Sequence, residues 1–159
     1  MIELSRIWSR LSPEEKRDRR MTTGLDMPAA RVTIHNPKTI SAPTGYSHVA
    51  EVRGGKLVFI SGQVALDPSG ALVGWDSYSL QAEQVFKNLG LALESAGAGF
   101  GDLVKLTYYL LDVAHLPEVR EIRDRFVNKL HPPTSTAVQV SRLARPEFLL
   151  EVDAIASVE

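Results

Sequence analysis

The side chains able to do acid–base or metal chemistry are few in this chain. Four histidines are present, His35, His48, His115 and His131, and none stands four residues from another. There is no cysteine, which removes disulfides, thiolate nucleophiles, iron–sulfur clusters and cysteine-type zinc sites. We therefore expect no metal and no cofactor. A serine nucleophile would sit on a G-x-S-x-G elbow, and the sequence has none. Gly97-x-Gly99 and Gly99-x-Gly101 lack the strand–turn–helix order of a dinucleotide loop and read as turn glycines. What remains is carboxylates and arginines. Glu151 and Asp153 alternate with Leu150, Val152, Ala154, Ala156 and Val158 near the end of the chain. Alone, Glu151 would be a solvated strand residue. Beside Leu149 and Ile155, however, it lies on a face too apolar for free water and too polar for a core. A face of that kind meets another subunit.

The elements that must position these residues follow from hydrophobic periodicity. Tyr46–Arg53 and Lys56–Ser61 are short β-rich runs, and the Gly54-Gly55 pair between them is a two-residue hairpin signal. Residues 79–97 predict a helix with Ala82, Phe86, Leu89, Leu93 and Ala96 on one face and Gly97 as its stop. Leu103–Val113 reads as a long strand. Leu116, Val119, Ile122, Phe126 and Leu130 mark a second helix, ended by Pro132-Pro133. On that helix Arg120 and Arg123 read as a solvated face. Ser135–Arg142 and Phe148–Val158 close the chain as strands. In the first of these, Val138 and Val140 are expected on the helix side, opposite Ser135, Ala137 and Gln139. The order ββ-α-β-α-ββ predicts an α+β two-layer sandwich, two helices on one face of a mostly antiparallel sheet.

The first 45 residues differ from the rest. Leu4, Ile7, Trp8 and Leu11 have helical spacing, and Ser12-Pro13-Glu14-Glu15 starts a second charged helical segment. Residues 1–20 thus read as a helical extension, 21–45 as an extended lead-in and 46–159 as the domain proper. The amino-terminal run has no apolar core of a secretory signal, and cytoplasm is the default expectation. With 18 Lys+Arg against 19 Asp+Glu the net charge is −1. That balance removes the electrostatic footprint of a nucleic-acid binder. No apolar run approaches the roughly 20 residues needed to span a bilayer, so neither nucleic acid nor membrane is expected as a partner.

Several runs, in order and spacing, resemble the RidA/YjgF family. These are Phe59-Ile60-Ser61-Gly62-Gln63-Val64, Gln84-x-x-x-Asn88 and Asp102-Leu103-Val104-Lys105-Leu106-Thr107. Ala137-Val138-Gln139-Val140 and Glu151-Val152-Asp153-Ala154-Ile155-Ala156 complete the set. The resemblance covers about residues 43–158. It implies a chorismate-mutase-like fold, assembled as a homotrimer, with small-molecule pockets in the clefts between subunits. It also implies hydrolysis of reactive enamines and imines to 2-keto acids and ammonia. Residue by residue, it puts a pocket tyrosine at Tyr46, since the family's G-P-Y-S run reads here Thr44-Gly45-Tyr46-Ser47. It puts a pocket glycine at Gly62 and a water-holding glutamate at Glu151. The family's carboxylate-clamping arginine, in a P-A-R-S run, falls on Ser135 of Pro133-Thr134-Ser135-Thr136, and its helix asparagine on Arg120.

The serine changes the expected chemistry. A guanidinium fork grips a carboxylate through two charge-assisted hydrogen bonds, which a hydroxyl cannot replace. Losing a charged hydrogen bond costs about 1.5–3 kcal/mol. The expected function is therefore hydrolysis of a reactive imine, enamine or related small metabolite in an intersubunit cleft. Glu151 would be catalytic there, and Tyr46, Gly62, Ser135 and Arg120 would contact the substrate. Arg120 would reach the cleft from the side as a relocated cation, with Arg142 and Arg145 as further candidates. The alternative is a non-catalytic ligand-binding trimer of the same fold.

Overall fold

Val152 and its alternate neighbours on the last strand sit at the middle of a sheet rather than at its edge. The computed structural model describes residues 32–158; the extension read at 1–20 and the start of the lead-in lie outside them. Among the described residues there are six strands: β1 (Val32–His35), β2 (Val49–Val52), β3 (Lys56–Gln63), β4 (Leu103–Leu110), β5 (Thr134–Gln139) and β6 (Leu150–Val158). In the same residues the α-helices α1 (Tyr78–Ser95) and α2 (Leu116–Arg123) join them. Four strands form one sheet in the order β3-β6-β4-β5. β6 is antiparallel to both β3 and β4, and β5 runs parallel to β4. β1 and β2 make a separate antiparallel pair, and Ser47, just before β2, bridges Thr134 of β5. The architecture is the expected α+β one.

Period-2 alternation explains the covered side of the sheet. Leu150, Val152, Ala154 and Ala156 of β6 turn toward the helices with Leu106, Tyr108 and Leu110 of β4, all buried. α1 meets them with Ala82, Val85, Phe86, Leu89 and Leu93, spaced to share one helical face. Its start is capped by Ser77, whose side chain accepts a bond from the Leu80 N–H. At its end Gly97 takes φ of +75°, and the Gly97 and Ala98 amides return to the Glu94 and Leu93 carbonyls. Phe86, Phe100, Phe126 and Tyr108 form an aromatic cluster, with Phe86 stacked on Phe126 at 5.5 Å.

Three local expectations are corrected. The Gly54-Gly55 pair turns the chain with both φ values positive, yet β2 and β3 do not pair as a hairpin. β2 pairs with β1, and β3 with β6, because Val58 and Ile60 of β3 need the covered face that β6 shares with α1. The second helix stops at Arg123. Phe126 and Val127 reach the core from the turns that follow, while Leu130 is 85% exposed. Finally, the faces of β5 are the reverse of those expected. Ser135, Ala137 and Gln139 register with Leu106, Tyr108 and Leu110 on the helix side, and Val138 is exposed. β5 is an edge strand, so its inward positions need not all be apolar.

Candidate functional site

Glu151 sits opposite Tyr109 in the β4–β6 ladder, on the face of the sheet away from the helices. Its carboxylate lies against the backbone of Gly62. That glycine occurs where the β3–β6 register shifts between Ile60 and Gln63, a bulge that brings the chain close. A Cβ at residue 62 would fall 1.7 Å from Glu151 Oε1 and 2.5 Å from its Cδ, so only glycine fits under this carboxylate in its present place. Among the described residues the Glu151 carboxylate accepts no hydrogen bond. A cavity of about 360 Å³ opens beside it, lined by Tyr109, Val140, Arg142, Leu143, Ala144 and Glu151. The Tyr109 hydroxyl donates to Asp153 Oδ2 at 3.1 Å, and this bond to a carboxylate, with the nearby negative charge, holds the phenol above its ordinary pKa.

Tyr46 and Ser135 come together elsewhere. The segment before β2 meets β5 at Ser47 and Thr134, and the two then diverge as β2 pairs with β1. The divergence leaves a cavity of about 490 Å³, whose lining includes Tyr46, His48, Lys105, Thr134, Ser135 and Thr136. The Tyr46 ring stands edge-on to His48 at 5.3 Å. His48 is fixed by its Nε2 on the Ser41 carbonyl at 2.7 Å and by its amide on Asn36 Oδ1. Ser47 is buried and bonds the Pro132 carbonyl at 2.6 Å through its hydroxyl and the Pro133 carbonyl at 3.1 Å through its amide. Lys105 has no anionic partner among the described residues and is the cation of this cavity.

Of the five residues singled out in the sequence, the chain thus brings Gly62 to Glu151 and Tyr46 to Ser135. The two pairs stay apart. Lys105 and Tyr109 are four residues apart on β4, roughly 13 Å at the usual strand rise. Arg120 lines neither cavity. It lies near Tyr108, whose hydroxyl is pushed up to about 12 by burial against the opposing pull of Arg123 and Arg120. Arg123 is not on a solvated face: it is 5% exposed and bonded to Gly45 and Asp124. Lys105, His48 and Tyr109 were missed as lining residues, although Lys105 lies inside the D-L-V-K-L-T run. No three His, Asp or Glu side chains among the described residues are grouped to hold a metal, and no helix there is long and apolar enough to cross a membrane.

The family described as Endoribonuclease L-PSP matches residues 36–158, nearly all of the described chain. The chain belongs to the RidA/YjgF family. It is 36% identical over 127 residues to protein DfrA of Myxococcus xanthus, covering 80% of this chain and 95% of that one. It is also 36% identical over 127 residues to the 2-iminobutanoate/2-iminopropanoate deaminase of Mus musculus, covering 79% of this chain and 90% of the other. The crystal structure of YyfB from Yersinia pestis, a Rid-family protein of unknown function, superposes with a TM-score of 0.72. It has 31% identity and covers 80% of this chain and 99% of that one. The chain is thus similar in sequence to an imine deaminase and in fold to a Rid-family protein of unknown function.

Proposed function

We propose that this RidA/YjgF protein hydrolyses a small reactive imine or enamine in a cleft between subunits of a homotrimer. In that arrangement the Glu151–Gly62 side of one copy meets the Tyr46–Ser135 side of a neighbouring copy. The observation that carries the reading is the Glu151 carboxylate, seated on the Gly62 backbone with no hydrogen-bond partner among the described residues and lining an open cavity. A carboxylate so placed can take a proton from a bound water as the water oxygen adds to the imine carbon. Addition to the protonated imine leaves a neutral carbinolamine. Glu151 returns its proton to the nitrogen, the C–N bond breaks, and the hydroxyl proton passes to the departing ammonia as the carbonyl forms, giving a ketone and ammonium. The assembly is supported by the open sheet face, where Leu57 and Phe59 are exposed beside Glu151, Asp153 and Ile155.

With serine at the position of the clamp, the cation available beside Tyr46 is Lys105. An ammonium is a point charge rather than a planar fork, so a 2-imino acid would be held less firmly than by arginine. The test is ammonia release from 2-iminopropanoate by the wild type, Glu151→Gln and Ser135→Arg. Weak wild-type turnover, lost in Glu151→Gln and raised in Ser135→Arg, supports the reading. Turnover unaffected by Glu151→Gln overturns it. Ser135 also favours the non-catalytic ligand-binding trimer as a second reading, which predicts saturable 2-oxobutanoate binding with no turnover in any of the three proteins.

A further inference from the structure

The Tyr46 segment is held by a buried cation that neither the sequence reading nor the proposed reaction uses. Arg123, in the last turn of α2, is 5% exposed. Its Nη1 donates to the Gly45 carbonyl at 2.6 Å, across 78 residues of sequence. Its Nε donates to Asp124 Oδ1 at 2.9 Å, and Lys129 steadies the far oxygen of that carboxylate at 3.6 Å. An unpaired guanidinium at this depth would be strongly destabilising. The charge of Asp124 and the Gly45 carbonyl offset that cost, and the carbonyl belongs to the residue just before Tyr46. Gly45 itself has φ of +71°, a conformation closed to the proline that the G-P-Y-S pattern carries there. A Cβ at residue 45 would meet Arg123 Nη2 at 3.3 Å. On the other side of Tyr46, Ser47 is tied to Pro132 and Pro133.

We infer that Arg123 is the positioning residue of the Tyr46 segment: its bond to the Gly45 carbonyl, opposed by the Ser47 bonds, sets where the tyrosine stands in the cavity with Ser135 and Lys105. Arg123 does not line that cavity and touches no reacting atom. It acts through the backbone, in place of the conformational restriction a proline would supply. A planar fork reaches Gly45 and Asp124 at once, and a lysine ammonium can reach only one of them well. The segment is therefore tuned to arginine in particular.

The kinetic arm of the test rests on the proposed imine hydrolysis, and the exchange arm does not. Amide hydrogen exchange is compared in the full-length wild type, Arg123→Lys and Arg123→Met, with Gly45→Ala disturbing the same contact from the other end. The Ser47 and His48 amides should exchange at least about tenfold faster in Arg123→Met and Gly45→Ala, and by an intermediate amount in Arg123→Lys, with β6 unchanged. With 2-iminopropanoate the same variants should raise KM by about tenfold while kcat stays within about threefold. Faster exchange across β4 and β6 as well would make Arg123 a general stability residue and overturn the inference. So would unchanged exchange at Ser47 and His48. If no protein turns over an imine, the proposed reaction fails, and the exchange pattern still decides the role of Arg123. If Arg123→Met does not fold, Arg123→Lys and Gly45→Ala carry the same comparison.

Discussion

The two faces of the four-stranded sheet are made by the same strands and have opposite characters. On the covered face, Leu106, Tyr108, Leu110, Leu150, Val152 and Ala156 are shut away under α1 and α2. On the open face the alternate residues are Lys105, Thr107, Tyr109, Glu151, Asp153 and Ile155, with Phe59 of β3 73% exposed. Neighbouring Tyr108 and Tyr109 condense the contrast. The first has a buried hydroxyl with no hydrogen-bond partner, and the second donates to Asp153 at the rim. Stability is concentrated on one face, which leaves the other to present the carboxylates and apolar groups that the proposed chemistry and assembly would use.

The largest expected effect lies on the covered side. Phe86→Ala empties the centre of the aromatic cluster and should cost about 3–5 kcal/mol. Calorimetry should show Tm falling by roughly 6–20 °C. A smaller loss would mean that Phe100 and Phe126 refill the space.

The two tyrosines should separate in alkali. Burial raises the Tyr108 pKa from 10 to about 12, so the unfolded chain releases this proton before the native one does. The stabilisation is therefore complete below pH 10 and is lost as pH rises through 12, by up to about 3 kcal/mol. Tyr108→Phe should remove that alkaline limb. At pH 7 it should change stability by less than about 1 kcal/mol, because no partner is left unpaired. Tyr109→Phe should leave most of the limb in place, removing only the smaller part that its bond to Asp153 contributes. Denaturant titrations between pH 7 and 12 measure both.

Next comes the contact between β3 and the open face. Gly62→Ala should cost about 1–3 kcal/mol if the β3 backbone shifts to make room and Glu151 keeps its place. If instead the carboxylate swings away, stability should stay near wild type while any imine turnover falls with it. The smallest effect on the fold itself is expected for Phe59→Glu, within about 0.5 kcal/mol. Light scattering should nevertheless show the proposed trimer dissociating. A Phe59→Glu protein that keeps its assembly state would move the interface off this face.

What could be read from the sequence divides along the same line. The alternation of β6 from Leu150 to Val158 and the helical stripe from Ala82 to Leu93 are strong because burial acts on many residues in phase. Glu151 and Gly62 were legible as motif residues, but their contact was not, since a register shift in β3 creates it. The Gly54-Gly55 signal is local, and long-range pairing overrode it. Val138 misled because apolar residues are also found on open faces, and at the edge of a sheet a serine or glutamine turns inward at little cost. Arg123 escaped because charge reads as solvation unless its partners are known. Those partners, Asp124 next to it and Gly45 far away, are a pairing that periodicity does not encode.

The place of β6 between β3 and β4 bears on how the protein is made. Its partners in β3 lie about a hundred residues earlier in the chain. While a ribosome is still adding the residues before Leu150, β3 and β4 have no strand between them, and the apolar faces of Val58, Ile60, Leu106 and Tyr108 cannot close. The nascent chain must carry those surfaces uncovered until β6 has emerged from the exit tunnel, so they are open to chaperones and to aggregation throughout the synthesis of β3 to β5.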